Sequence, residues 1–473
     1  MPSDRPVLAR IPRAAWLTLS STALGLVVAF ASVSMVPVAL PAMIDDLDAS
    51  VVQGQWFLLA YLLACSASIL VAGRVADAFG RRPVYLTGLA LCTLSVAGIT
   101  FAADPWLVVV LRGLQGLGAA CVITNSTALL VEVFPPSRLA VGIGANIGIM
   151  SVATAIGPLV SGALTEGVGW RAVFAVGAPL GLVGVVWAGF ALPRVLRVPR
   201  RSGRPDLAGA LASATLMAGV VFGANQAGAS GWTVTAVGAL VAAAAAGVVL
   251  VLVERRAADP VVDLGLLRER FRGSAYGATG LSTLAEGSVA VVVVWHLQQD
   301  EGFSPLDAGV QVTALAVGTA VASVVAGRLA PRFSGRALTA TAVSGSTVVL
   351  LLIALHFAGP AEVVPLWALL CAIGLTGGIF KTANAAALNV GGDARGAGMV
   401  NGLRVAVDNT AVTVAVALGL AITDTAGVVV CFAVLAGLSL AAVAPAWGRG
   451  LHTDEPFHRR GDRRSAADPQ LVA

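Results

Sequence analysis

Very few charged residues of this chain fall inside its long apolar runs, and those few are where chemistry is to be expected. A charge in hydrocarbon is destabilising by several kcal/mol unless it is paired or wet. Glu286 sits at about mid-depth of one run, in Ser282-Thr-Leu-Ala-Glu286-Gly-Ser-Val289. Desolvation disfavours the charged form of a lone carboxylate, which suits Glu286 to loading and releasing protons near neutral pH. The alternative is a structural, hydrogen-bonded carboxyl. Arg112 lies in the middle of another run among glycines, where a guanidinium can bond neighbouring carbonyls. Gln115 and Asn125 share its helix, either lining a cavity or acting as interhelical glue. Arg404 and Asp408, spaced i, i+4, share a helix face and can pair. Asp408 then either neutralises Arg404 or forms a substrate or proton site. Glu132 closes the run that holds Arg112, and His296 lies near the end of its own run as an interfacial residue.

The elements that position these groups follow from composition. The 473 residues are 57% hydrophobic and 12% charged, with a mean hydropathy of +0.88. Soluble domains carry about 25% charged residues, so this is an all-α integral membrane protein in contact with the lipid bilayer. A span needs about 20 apolar residues, which places fourteen: 15–41, 53–73, 83–102, 105–131, 139–165, 171–193, 206–227, 233–253, 273–297, 308–329, 337–358, 363–381, 397–422 and 427–447. The N-terminal run is too long for a signal-peptide core and reads as a retained first helix. Cys65, Cys92, Cys121, Cys371 and Cys431 all lie in apolar runs with no metal or disulfide spacing, and read as small buried hydrophobes.

Charge sets the topology. With both termini cytoplasmic, every basic residue except Arg112, Arg171 and Arg404 falls in an inner segment, Lys381 included. The outer loops hold Asp45, Asp46, Asp48, Asp104, Glu166, Asp300, Glu301, Asp307, Glu362 and Asp424, which satisfies the positive-inside rule. The excess of basic over acidic residues therefore reports topology and gives no reason to expect nucleic acid. The chain is also duplicated. Gly73–Arg82 reads G-R-V-A-D-A-F-G-R-R, and Gly327–Arg336, 254 residues on, reads G-R-L-A-P-R-F-S-G-R. Both lie between apolar runs, as charge-dense turns exposed to solvent. The organisation is 6 + 2 + 6: an N-terminal segment 1–14, a six-helix bundle 15–193, a two-helix insertion with its loops 194–272, a second bundle 273–447 and a polar, Arg-rich tail 448–473 expected to be disordered.

Gly73-x-x-x-Asp77-x-x-Gly80-Arg81-Arg82 resembles the loop motif between helices 2 and 3 of the major facilitator superfamily. Leu111-Arg112-Gly113-Leu114-Gln115-Gly116-Leu117-Gly118 resembles its fourth-helix proton-antiporter motif, and Ala155-Ile156-Gly157-Pro158-Leu159-Val160-Ser161-Gly162 its fifth-helix antiporter motif, with Ser161 where a second glycine is usual. Gly169-Trp170-Arg171, and Gln298 followed by Gly302-Phe303-Ser304-Pro305-Leu306-x-Ala308-Gly309, are similar to the fourteen-helix drug–proton antiporter branch. The resemblance implies several roles. Arg112 takes part in proton coupling. Gly73, Asp77, Gly80, Arg81 and Arg82 form an inner gate, with Glu132 in its network. Gly157, Pro158 and Gly162 kink a helix that seals one side of the cavity. Pro331 replaces the Asp in the second loop copy, so only the first is expected to carry the gate. Arg404 matches an arginine common in the branch, whereas Asp408 stands where a small residue is usual. Aligning Val38-Ala39-Leu40-Pro41 on the branch pattern puts Ser32 where the first helix usually carries an Asp, with Pro37 at a usual Asn. The first span then has no acid at mid-depth, and Glu286 or Asp408 is left to substitute.

The expectation is a secondary transporter alternating between two six-helix bundles around a midplane cavity. No G-x-x-x-x-G-K-[ST] occurs, and no nucleophile–base set or metal cluster suggests an enzyme, so no cofactor is expected beyond the proton gradient as energy source. The reading is proton-coupled export of a hydrophobic or cationic drug or antibiotic, acting as a monomer in a bacterial cytoplasmic membrane. With Lys381 as the only lysine against many arginines, a high-GC bacterium is the expected source. The alternatives are an exporter or uniporter for one endogenous metabolite or lipid, and, in another class, a non-transporting membrane sensor or scaffold.

Overall fold

A backbone in lipid must satisfy its own hydrogen bonds, which favours helix throughout. The computed structural model describes residues 12–135, 139–193, 207–255, 269–329, 333–359, 364–389 and 394–447, and among them the regular structure is all α-helix. The helices are α1 (Arg13–Asp46), α2 (Val51–Phe79), α3 (Arg81–Thr100), α4 (Pro105–Val133), α5 (Leu139–Gly167), α6 (Arg171–Ala191), α7 (Leu207–Ser230), α8 (Val234–Glu254), α9 (Arg270–Glu286), α10 (Val289–Gln299), α11 (Pro305–Leu329), α12 (Gly335–Ala358), α13 (Leu366–Asn389), α14 (Ala394–Ala426) and α15 (Val428–Trp447). Among the described residues, thirteen spans are long and apolar enough to cross a membrane, with α9 and α10 together making one; α7 adds a shorter apolar stretch, Leu211–Gly223. Their starts are cut by polar caps. Ser50 and Gln53 form a reciprocal capping box on α2. Asp104 accepts from the Leu107 amide ahead of Pro105 on α4, and Ser334 caps α12.

Two departures from the sequence expectation bear on function. The ninth span is not one helix: it breaks at Gly287–Ser288, between α9 and α10. Gly287 is a poor helix former, and its backbone lies so close to α14 that a Cβ there would sit 3.1 Å from Val412 Cα. The gate motif is also mostly helix rather than loop. α2 continues through Phe79, and the chain turns only at Gly80, whose φ of 99° disfavours any side chain.

The chain forms two compact units. One runs through Ala218 and takes in Phe303–Gly309; the other comprises Gly219–Gly302 and the chain from Val310 onward. The insertion does not stand apart as a third unit, because the division falls inside α7. Residues 194–206, 256–268 and the tail 448–473 lie outside the described residues, as does Pro331.

Each unit repeats one packing scheme. α1 packs on α4, α5 and α6, and α3 on α4 and α6; in the second unit α9 packs on α13, α14 and α15, and α12 on α13 and α15. The register repeats as well. A Cβ on Gly116 of α4 would collide with Tyr61 O and Cys65 N of α2, while one on Gly374 of α13 would collide with Leu315 O and Thr319 N of α11. Tyr61 and Leu315 are 254 residues apart, as are Cys65 and Thr319. Likewise Gly157 of α5 abuts Ser34, and Gly419 of α14 abuts Ser288, again 254 residues from its counterpart. These contacts pair Ser32 with Glu286, and Asn146 of α5 with Asp408 of α14.

Candidate functional site

In the first unit the polar centre is built around a guanidinium without an acid. Arg112 on α4 is 1% exposed. Its Nε donates to Phe57 O on α2 (2.8 Å) and its Nη1 to Gln115 Oε1 one turn on (2.7 Å). The guanidinium stacks 4.6 Å over the Tyr61 ring, and the Tyr61 hydroxyl is held by Ala29 O at 2.9 Å. Gln115 Nε2 then donates to Ser32 Oγ on α1 (2.8 Å), and Ser32 donates to Val28 O (3.1 Å). The chain Arg112–Gln115–Ser32 thus joins the buried guanidinium of α4 to Ser32 of α1. A buried charge is tolerated when its donors are satisfied, and here one backbone carbonyl, one side-chain amide and an aromatic face serve the guanidinium. Asn125 is not part of this chain; it is buried and donates back to Cys121 O on its own helix (2.8 Å).

The second unit is acidic. Glu286 ends α9 at the helix break, partly buried. Ser346 of α12 donates to Glu286 Oε1 (2.7 Å) and meets Thr376 Oγ1 of α13 at 2.9 Å. The carboxylate rests directly on the α13 backbone at Gly377, where any Cβ would collide with it. Asp408 of α14 accepts from Thr283 Oγ1 of α9 at 2.6 Å; Thr283 lies one turn before Glu286. The Ser282 and Ser288 hydroxyls, close to Glu286 in the chain, and Asn384 Oδ1 of α13 are buried without partners among the described residues.

Arg404 and Asp408 do not pair, although their spacing allows it. Asp408 is taken by Thr283 from the facing helix, and the buried Arg404 Nε has no partner among the described residues. His296, at the end of α10, lies between Asp300 Oδ2 (2.5 Å) and Glu301 Oε1 (3.4 Å). Sequence reasoning missed Ser346, Thr376 and Thr283 in this cluster. The 254-residue spacing, extended past the loop motif, carried the signal for the equivalence of Ser32 and Glu286.

The remaining motif residues sit where helices meet. Arg81 lies 3.2 Å from Glu132 Oε1 of α4, an ion pair without hydrogen-bond alignment, and 3.8 Å from Asp77. Arg82 Nη2 donates to Gly189 O of α6 (2.8 Å), and Gly73 leaves room for Thr124 of α4. On α5, Ser161 donates to Met35 O of α1 (2.7 Å). Gly162 and Pro158 abut Pro305–Gly309, the segment that groups with the first unit, and Glu166 accepts from the Leu306 amide there (3.3 Å). Trp170 and Arg171 close α6 onto Asp46 of α1.

The family model described as Major Facilitator Superfamily matches residues 22–266 and 275–472. The chain belongs to that superfamily. This facilitator is 32% identical over 368 residues to the tetracenomycin C resistance and export protein of Streptomyces glaucescens, covering 76% of this chain and 67% of that one. It is 33% identical to a puromycin resistance protein of Streptomyces alboniger, over 64% of this chain and 61% of the relative. A lincomycin resistance protein of Streptomyces lincolnensis is 32% identical over 70% and 69%. The chain thus spans about three fifths to two thirds of these relatives' length. Among solved structures, the human organic anion transporter MFSD10 superposes with a TM-score of 0.64 at 15% identity, covering 91% of this chain, which speaks to the fold alone. This is a multi-pass membrane transporter whose relatives confer antibiotic resistance.

Proposed function

We propose that this facilitator exports hydrophobic or cationic antibiotic-like molecules across a bacterial cytoplasmic membrane in exchange for protons. It does so by alternating access, as a monomer with both termini cytoplasmic. Glu286 carries the proton. The supporting observation is the placement of its carboxyl at the interrupted helix α9–α10, held by one serine and lying on bare backbone at Gly377. A break in a membrane helix is a recurrent way to build an ion site at mid-depth. Ser346 orients the acceptor oxygen. Arg112, Gln115 and Ser32 form the cationic half of the coupling machinery, while Arg81, Glu132 and Asp77 brace the inner gate. The energy source is the proton gradient, with no further cofactor.

The test uses purified protein in proteoliposomes with an internal pH dye and a panel of lipophilic cations and neutral antibiotics. Substrate-triggered proton movement in the wild type that is lost in Glu286→Gln supports the assignment. Movement that survives in the variant moves the proton to Asp408 or the Arg112 surroundings. No response to any compound removes multidrug export and favours a dedicated exporter, a uniporter or a sensor.

A further inference from the structure

Arg404 is a partly buried cation that the export reading leaves without a task. It lies on the face of α14 that packs on α9, between two turns that α9 holds by hydrogen bonds. One turn before it, Val400 O accepts from the Tyr276 hydroxyl (3.1 Å); one turn after it, Asp408 accepts from Thr283 (2.6 Å). Arg404 is therefore level with the α9 turn between Tyr276 and Thr283. Its order relative to Asp408 explains why the two do not pair. A helical side chain lies over the turn N-terminal to its own Cα, so the guanidinium extends toward Val400, and cation-first is the weaker order for an i, i+4 pair. Arg404 makes no hydrogen bond or ion pair among the described residues, and its Nε is buried. The same turn of α9 is met from α13. Asn384, 2% exposed, donates through Nδ2 to Ala275 O (3.0 Å) and Thr279 Oγ1 (2.7 Å). The Ala275 carbonyl can only accept, which fixes the way the amide faces and leaves Asn384 Oδ1 buried without a partner among the described residues. α13 and α14 also pack on each other. An orphan donor and an orphan acceptor, from two neighbouring helices, thus flank one turn of α9, about two turns before Glu286.

A buried donor or acceptor without a partner is destabilising, and a guanidinium matches anionic oxygens through its fork of N–H groups. We propose that Arg404 and Asn384 form an anion-recognising subsite in the second unit. The guanidinium takes an acidic oxygen of an amphiphilic substrate, and Asn384 Oδ1 takes the hydroxyl or N–H beside that oxygen. The ligand class is a hydrophobic acid with an adjacent donor, such as an aromatic 2-hydroxy acid. A plain lipophilic cation offers nothing to either side chain. Arg404 is thus a specificity-determining residue for acidic substrates, and Asn384 one for the neighbouring donor. This inference rests on the export reading for the existence of a substrate path, while its own content, recognition of an acid, is tested by binding without transport.

The experiment is equilibrium dialysis of the purified full-length protein in lipid nanodiscs at neutral pH, with empty nanodiscs as the blank. The probes are 2-naphthylglycolate, its methyl ester and 2-naphthylacetate. The wild type is expected to bind 2-naphthylglycolate about tenfold more tightly than the ester and about threefold more tightly than 2-naphthylacetate. Arg404→Gln should remove the preference for acid over ester, and Arg404→Lys, which keeps the charge, should retain most of it. Asn384→Leu should remove the advantage of the hydroxy acid over 2-naphthylacetate and leave that of acid over ester. Each ratio compares ligands on one sample, so partial misfolding of a variant lowers all affinities alike without moving the ratio. Equal wild-type affinities for acid and ester, or an unchanged acid-to-ester ratio in Arg404→Gln, overturns the proposal and leaves the two orphans to ordered water. In proteoliposomes with an internal pH dye, proton movement triggered by 2-naphthylglycolate joins the subsite to export. Binding as expected without such movement keeps the subsite and removes proton exchange for this compound, so the two readings fail separately.

Discussion

Ser32 and Glu286 occupy the same register of the first helix in two copies of one unit, and they have opposite fates. In the first unit the position is a serine at the end of a neutral relay that leads to a buried arginine. In the second it is a carboxylate at a helix break, held by Ser346, with a second acid, Asp408, bonded to Thr283 one turn earlier on α9. The pairing continues around the site. Asn146, hydrogen-bonded to Thr22 at 3.2 Å, stands where Asp408 stands in the second unit. Arg112 has Leu370 as its counterpart, four residues before Gly374 as Arg112 is before Gly116. Duplication kept the backbone crossings, which depend on glycines, and redistributed the charge. One unit holds a lone cation and the other nearly all the intramembrane acid. The lesson is that packing register and chemical role are separable: the first is carried by small residues at crossings, the second by single side chains.

The largest test of this comparison is Glu286→Gln, which should abolish substrate-driven proton movement in proteoliposomes. Adding Ser32→Asp to that variant asks whether register alone confers the role. Coupling should stay lost, because an aspartate at 32 would be captured by Gln115 and Arg112; recovered proton movement would show that position outweighs surroundings. Next in size is Arg112→Leu, which copies the second unit's residue into the first. It removes the side-chain donor to Phe57 O and to Gln115 Oε1, while Gln115 Nε2 keeps Ser32, at about 1–3 kcal/mol for each lost partner. A clear drop in thermal unfolding temperature is expected, and an unchanged one would mean that water replaces the guanidinium. Gly116→Ala and Gly374→Ala make the same intrusion at equivalent crossings and should each destabilise by about 1–3 kcal/mol. Unequal losses in unfolding temperature would show that one crossing yields more readily than its copy. The smallest effect belongs to Arg81→Gln. A partly exposed ion pair contributes up to about 1 kcal/mol, so stability should barely move while the transport rate reports any gating role. A change in stability as large as that of Arg112→Leu would recast Arg81–Glu132 as structural.

Much of the fold and part of the site are legible in the amino-acid order alone. The positions of the apolar runs follow from length and hydropathy, which are local properties of the chain, although of the fourteen runs expected thirteen are long and apolar enough to span among the described residues and α7 keeps a shorter apolar stretch. Glu286 can be singled out for the same reason, since a carboxyl in an apolar run is costly wherever the helix lies. Even the equivalence of Ser32 and Glu286 is present in the 254-residue spacing, though only the crossings at Gly116 and Gly374 prove that the register extends into the helices.

The linear chain thus settles an inventory: which runs are apolar, which charges lie in them, and at what repeat distance. Partners come from helix packing instead. Spacing allows Arg404 to neutralise Asp408, but Thr283 on another helix takes the carboxylate at 2.6 Å. Charge counting places Lys381 on the loop side, whereas α13 lays its Gly377 face against Glu286. The helix break at Gly287 likewise depends on how closely α14 approaches. A side chain's own helix fixes the direction in which it points, while the charge and hydrogen bonds it meets there are supplied by residues distant in the chain.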